Sequence, residues 1–135
     1  CALHEIGMFV SHHDHHRHSA YLLSHVDAAG FSQSQQRRLA DLALAQRGGL
    51  RKIEALLRDP DAAWTVLCLR LAVIRCHARL ALDGPGWVLT RRAPEVASLH
   101  WRPARQTPNP RTLHLLHEEA QAWSRQGALT LELPA

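Results

Sequence analysis

Histidine dominates the chemistry-bearing residues of this chain. Seven of its eleven histidines fall between His4 and His25: His4 beside Glu5, the run His12-His13-Asp14-His15-His16-Arg17-His18, and His25. A histidine and a carboxylate adjacent at the end of one helix, with further histidines opening the next, form a donor set for a divalent metal that activates water. The donors that such a site would draw on are His4, Glu5 and His18. Three donors must also converge from different helices and have their tautomers fixed by neighbours. The alternative is a polar junction between helices whose histidines hydrogen-bond to backbone or solvent, and the incomplete ligand count favours it.

The second set of candidates is cationic. Lys52 is the only lysine among 16 basic residues, and the net charge is +4 with histidine neutral. Guanidinium forks suit phosphate and carboxylate oxygens better than ammonium point charges do, so the balance favours a phosphate-bearing partner. An arginine bias of GC-rich coding sequence would produce the same composition. Neither a reading helix nor an aromatic platform accompanies the arginines, which argues against a nucleic-acid partner. The seven glycines lie in helix ends and turns, and Gly84-Pro85-Gly86 leads into a strand, so the sequence contains no phosphate-cradling loop.

These residues need elements to hold them. The chain has 135 residues, 46% hydrophobic and 21% charged, which is enough for one packed core with a small appendage. The opening Cys1-Ala-Leu-His-Glu-Ile-Gly has the pattern of a last helical turn stopped by Gly7. It implies a cut chain with exposed apolar surface near Leu3, Ile6, Met8 and Phe9. A helix is expected over His15–Val26, with Ala20, Leu22, Leu23 and Val26 apolar. Ser32 and Gln35 make a capping box for a second helix ended by Gly48-Gly49, and a short third covers Leu50–Leu57. Asp59-Pro60 starts the longest helix, Asp61–Leu82, centred on Trp64, Leu67, Cys68, Leu71 and Ile74.

Beyond Gly86 the period changes to two. Trp87–Arg91 and Val96–Arg102 form a hairpin across Pro94-Glu95, with Trp87 and Trp101 packing across the strands. Asn109-Pro110 caps a helix with Leu113, Leu116, Ala120 and Trp123 on one stripe, Gly127 closes it, and Leu129, Leu131 and Leu133 alternate as a last strand. The fold class is therefore α+β, a mainly helical domain over 1–83 followed by a small β-β-α-β subdomain over 84–135. Cys68 and Cys76, eight apart in an apolar run, are expected as buried reduced thiols in a cytoplasmic protein. Ala62–Ile74, the longest apolar stretch, is too short to span a membrane. Arg75 and Arg79, like charges four apart, hint at an anionic neighbour.

Leu3-His4-Glu5-Ile6-Gly7, His16-Arg17-His18-Ser19-Ala20-Tyr21-Leu22-Leu23, Gly30-Phe31-Ser32 and Leu69-Arg70-Leu71-Ala72 closely resemble, in order and spacing, the C-terminal part of the exopolyphosphatase / guanosine pentaphosphate phosphatase (Ppx/GppA) family. The resemblance covers most of the chain. It implies a four-domain parent in which two actin-like domains hold the glycine loops, the Mg2+ site and the carboxylate that activates water. An HD-like helical domain and a small α/β domain follow, and these two are what this sequence resembles. It further implies that the parent releases terminal phosphate from inorganic polyphosphate or hydrolyses guanosine pentaphosphate. This portion would then be non-catalytic, binding the phosphate chain and contributing to a homodimer. Arg17, His18, Arg47, Arg51 and Lys52 are the implied phosphate contacts.

The same resemblance implies degenerate metal chemistry. His4 matches the first residue of the His-Asp pair of HD enzymes, but Glu5 replaces its Asp. Leu44-Ala45-Gln46-Arg47 stands where relatives carry Arg-Tyr-His-Arg, and Val73 falls at the distal Asp position. An apolar side chain cannot ligate a metal. The competing readings are a divergent metal-dependent HD phosphohydrolase using His4, Glu5 and His18, and a purely structural interaction module.

Overall fold

Capping chemistry places the helices where the sequence predicts them. The structure, a computed structural model, describes residues 3–76, 86–102 and 108–134. A 3-10 helix, Ile6–Phe9, precedes α1 (His15–His25) and α2 (Gln33–Ala45). A second 3-10 helix, Leu50–Ile53, leads into α3 (Glu54–Leu57) and α4 (Pro60–Cys76). Then come β1 (Gly86–Ala93), β2 (Val96–Arg102), α5 (Pro110–Gln126) and β3 (Thr130–Glu132). The fold is mixed α+β. The chain divides into two compact units, Cys1–Leu56 and Leu57–Ala135. The boundary that the sequence places at 83/84 lies outside the described residues.

In the first unit, α2 starts on a complete capping box: the Gln35 backbone N–H donates to Ser32 Oγ at 3.2 Å and the Ser32 N–H to Gln35 Oε1 at 2.8 Å. Leu23, Ala40 and Ala43 form one core cluster in it, with Ala20 packed against them. The buried face of α1 is His15, His16, Ser19 and Leu23. Leu22 is only half-buried and Val26 is 52% exposed, so polar contacts rather than the apolar positions set that face. The expected third helix is split, its first turn 3-10 and its second α. Leu50 and Ile53, both buried, eclipse each other at the three-residue spacing of a 3-10 turn.

In the second unit Asp59 Oδ1 accepts from the Asp61 N–H at 3.0 Å at the start of α4. This helix buries Ala62, Ala63, Val66, Leu67, Arg70 and Leu71. Its expected extension to Leu82 lies outside the described residues. Cys68 and Cys76 are free and exposed, correcting the expectation of buried thiols. Cys68 is one residual step round the helix from Leu67, off the buried stripe. Among the described residues no helix is long and apolar enough to cross a membrane.

β1 and β2 pair antiparallel with Trp87 opposite Trp101, ring centroids 6.0 Å apart, and an irregularity between Arg91 and Ala93. β3 joins the other edge of β2 in parallel, Ala97 opposite Leu131, which makes α5 a crossover. Trp123 is fully buried, as its stripe predicts. Trp64 is not a core anchor: half-buried, it donates its indole N–H to the Pro94 carbonyl at 3.1 Å, with the Arg91 guanidinium 5.0 Å over its ring. Trp64 thereby pins the hairpin turn to α4. Arg75 lies over the Trp87 ring at 5.2 Å, so an aromatic face is among its neighbours; Arg79 lies outside the described residues.

One ion pair clamps α4 to α5. Arg70 and Glu119, both buried, meet through Nε to Oε1 at 2.6 Å and a second guanidinium nitrogen to Oε2 at 2.8 Å. Trp123 Nε1 also donates to Glu119 Oε1, at 2.7 Å. Removing one member of a buried pair strands the other's charge, which typically costs about 3–5 kcal/mol. Glu119→Ala is therefore expected to lower unfolding free energy by about that amount in urea titration; a loss within the surface range, under about 1 kcal/mol, would show that the clamp does not hold the unit.

Candidate functional site

The candidate site is built on a backbone-to-backbone contact. Gly7 sits inside the first 3-10 helix rather than ending a helix. A Cβ there would fall 2.1 Å from the His15 carbonyl oxygen, 2.4 Å from the Ser19 nitrogen and 2.8 Å from His18 Cβ. Glycine is required because α1 itself occupies that space. Fully buried Ser19 ties the contact: its Oγ accepts from the Gly7 N–H at 2.9 Å and donates to the His4 carbonyl at 3.1 Å. Gln46, also buried, donates its side-chain N–H to the same carbonyl. The Gln46 amide thus ties the end of α2 to the N-terminal turn.

The turn leads into α1 through Asp14, the one non-glycine with positive φ (53°) among the described residues. Asp tolerates this left-handed conformation better than most residues. His15 and His16 follow at 5% and 6% exposure, their rings edge to face at 6.0 Å. The Nδ1 atom of each is buried without a hydrogen-bond partner. Burial, then the Arg47 charge, holds the His15 imidazole below its ordinary range. Burial, then Lys52, pushes His16 down to about 4. Both rings are therefore neutral near pH 7.

Two of the predicted phosphate contacts meet beside this pair. Arg47 is exposed, and half-buried Lys52 donates its Nζ to the Arg47 carbonyl. Between them Gly48 adopts φ +76°, where a Cβ would fall 3.1 Å from Lys52 Nζ and 3.7 Å from His16 Nε2. The left-handed glycine lets the ammonium and the imidazole approach one turn. Arg17 is exposed on the first turn of α1, its Nε 3.7 Å from the Asp14 carboxylate. Arg51 is exposed on the same 3-10 helix as Lys52. His18 is half-buried, its Cβ against Gly7.

His4 Nε2 lies 3.8 Å from Glu5 Oε1. Even so, among the described residues no group of three or more His, Cys, Asp or Glu side chains is placed to hold a metal ion. His4, Glu5 and His18 are not assembled into one; the part of His4 that the fold uses here is its carbonyl. Sequence reasoning missed His15, His16 and Gly48. The signal was present in the four-residue spacing of His15, Ser19 and Leu23, which marks one helix face.

The buried pair makes stability depend on pH. A histidine whose folded pKa lies below its unfolded value contributes full stability above the unfolded value and loses it as pH falls toward the folded one. For His16 that window runs from 6.5 down to about 4. At 1.36 kcal/mol per pKa unit, the loss approaches about 3 kcal/mol at its acid end. In urea titrations at about pH 7.5 and about pH 4.5, His16→Gln should lose less stability on acidification than the native chain. Equal losses would show that His16 is not held neutral.

Comparison with known proteins gives this arrangement its context. Residues 1–100 match the family model for the Ppx/GppA phosphatase, domain III. The guanosine-5'-triphosphate,3'-diphosphate pyrophosphatase of Pseudoalteromonas translucida is 36% identical over 80 residues, 57% of this chain and 16% of that protein. The protein of the same name from Photobacterium profundum is 38% identical over 79 residues, again 57% and 16%. That of Aliivibrio fischeri strain ATCC 700601 / ES114 is 32% identical over 127 residues, 93% of this chain and 25% of its own length. The chain spans 16% to 25% of the length of these curated relatives. With the domain III model running through both the histidine pair and the cationic turn beside it, this chain belongs to the Ppx/GppA phosphatase family.

Proposed function

We propose that this chain is a phosphate-chain-holding, non-catalytic portion of a phosphoanhydride hydrolase acting on inorganic polyphosphate or guanosine pentaphosphate. The observation that carries the reading is the Arg47–Gly48–Lys52 turn, where the Lys52 ammonium donates to the Arg47 backbone carbonyl beside the buried histidine pair. Relatives named as pyrophosphatases of guanosine-5'-triphosphate,3'-diphosphate support a phosphate-bearing substrate. Arg47 and Lys52 would grip successive phosphates, Arg17 and Arg51 would add flanking charge, and His18 would support α1 from beneath. The fold is taken as HD-like with its metal chemistry lost.

No proton-transfer step is assigned to these residues. His15 and His16 are buried, and on this reading the Mg2+ and the water-activating carboxylate would belong to other parts of the parent. A homodimer contact is proposed at the apolar surface of Leu3, Phe9 and Val10, which are 50%, 94% and 59% exposed. Ile6 and Met8 of the expected patch are half-buried. Sedimentation equilibrium should give a dimer that Phe9→Ser weakens; a monomer at all concentrations would remove this part of the reading.

Calorimetric titration of the 135-residue chain with long-chain polyphosphate tests the main reading. Binding should weaken steeply with added salt, since repeated ionic contacts are screened. Arg47→Ala should cost about tenfold in affinity, the lower range for a charge-assisted hydrogen bond. Polyphosphate with Mg2+ should release no phosphate above a buffer blank. Binding that is absent, or indifferent to salt, defeats the phosphate-holding role, and phosphate release defeats the non-catalytic one.

A further inference from the structure

We infer that binding of a phosphate polyanion at the Arg47–Gly48–Lys52 turn is coupled to proton uptake by His15 and His16, so that mild acid tightens the site. The inference rests on the phosphate-holding reading above and adds regulation to it. Its ground is geometric. Two adjacent imidazoles, both more than nine-tenths buried, each keep an Nδ1 with no hydrogen-bond partner, and His16 Nε2 borders the glycine turn that also carries Lys52 Nζ.

The groups facing the pair define the coupling. Around His15 stand Arg47 from the turn after α2, His4 and Glu5 from the N-terminal segment, and His12 from the approach to α1. Around His16 stand Lys52 from the second 3-10 helix, Asp14 and Arg17 from the start of α1, and His15 itself. Burial opposes a proton on both rings; Arg47, then His12 and His4, oppose one on His15 while Glu5 favours it, and Lys52, then His15 and Arg17, oppose one on His16 while Asp14 favours it. A polyanion that neutralises Arg47 and Lys52 removes the largest cationic opposition at each ring. Burial remains, so the rings still resist protons near neutral pH, but their occupancy at mild acid rises. By reciprocity, whatever the anion does for the proton the proton does for the anion.

The test uses the whole 135-residue chain and long-chain inorganic polyphosphate, whose interior phosphates stay ionised throughout the range. Calorimetric titration at about pH 5.5 in two buffers of different ionisation enthalpy reads the protons taken up per binding event. Net uptake is expected, with affinity about fivefold higher or more than at about pH 7.5, the lower end of ordinary coupling. The exposed histidines also titrate, so the decisive quantity is the affinity ratio between the two pH values. That ratio should collapse in His15→Gln/His16→Gln and persist in the exposed-site control His13→Gln. A ratio unchanged in the double variant, or flat in the native chain, overturns the coupling while leaving phosphate binding standing. No binding at either pH overturns the phosphate-holding reading and the coupling with it. Should the double variant fail to fold, the ring-proton titration of His16 in the native chain decides: its midpoint must move upward when polyphosphate is added, and an unmoved midpoint refutes the inference.

Discussion

The first unit depends on a missing side chain. Because Gly7 has no Cβ, the N-terminal turn approaches α1 until backbone meets backbone, and Ser19 fills the polar gap by accepting from Gly7 and donating to His4. Gln46, arriving from the end of α2, fixes the same His4 carbonyl. With the turn held there, the first two residues of α1 have nowhere to go but inward. The burial of His15 and His16, and with it their neutrality, follows from a contact in which neither side chain takes part.

The second unit solves a different problem. Its small sheet cannot bury itself, and α4 and α5 cover it only if they are held together. Arg70 and Glu119 do this with a bidentate pair shielded from water, and Trp123 satisfies the remaining demand on the carboxylate. Such a pair contributes less through its attraction than through the penalty for breaking it. Around it Trp64 fastens the hairpin, Trp87 meets the buried Trp101 at a tilted angle across the strands, and Trp123 is wholly interior.

The site between the first 3-10 helix and the turn after α2 combines cations that face solvent with imidazoles that do not. In a metal-dependent hydrolase the histidines at such a junction would converge on an ion. Here the carbonyl of His4 is used for docking, and two later histidines are buried, with Arg47 and Lys52 among the charges that act on them.

What the sequence determined by itself was local: the Ser32–Gln35 capping box, the Asn109-Pro110 start and Gly127 stop of α5, the hairpin with Trp87 facing Trp101, and the stripe that buries Trp123. Each depends on residues within a few positions or on a simple period, so each is visible along the chain. The family, too, is carried by short runs such as His16 to Leu23. Tertiary structure decided the rest. Arg70 meets a carboxylate 49 residues away, Gln46 reaches a carbonyl 42 residues back, and Cys68 faces outward although its run is apolar. Which histidines are buried was likewise beyond the sequence, because a helix with polar residues on several faces does not choose its own buried side. That choice was made by Gly7, through close approach of two backbones, which no periodicity records.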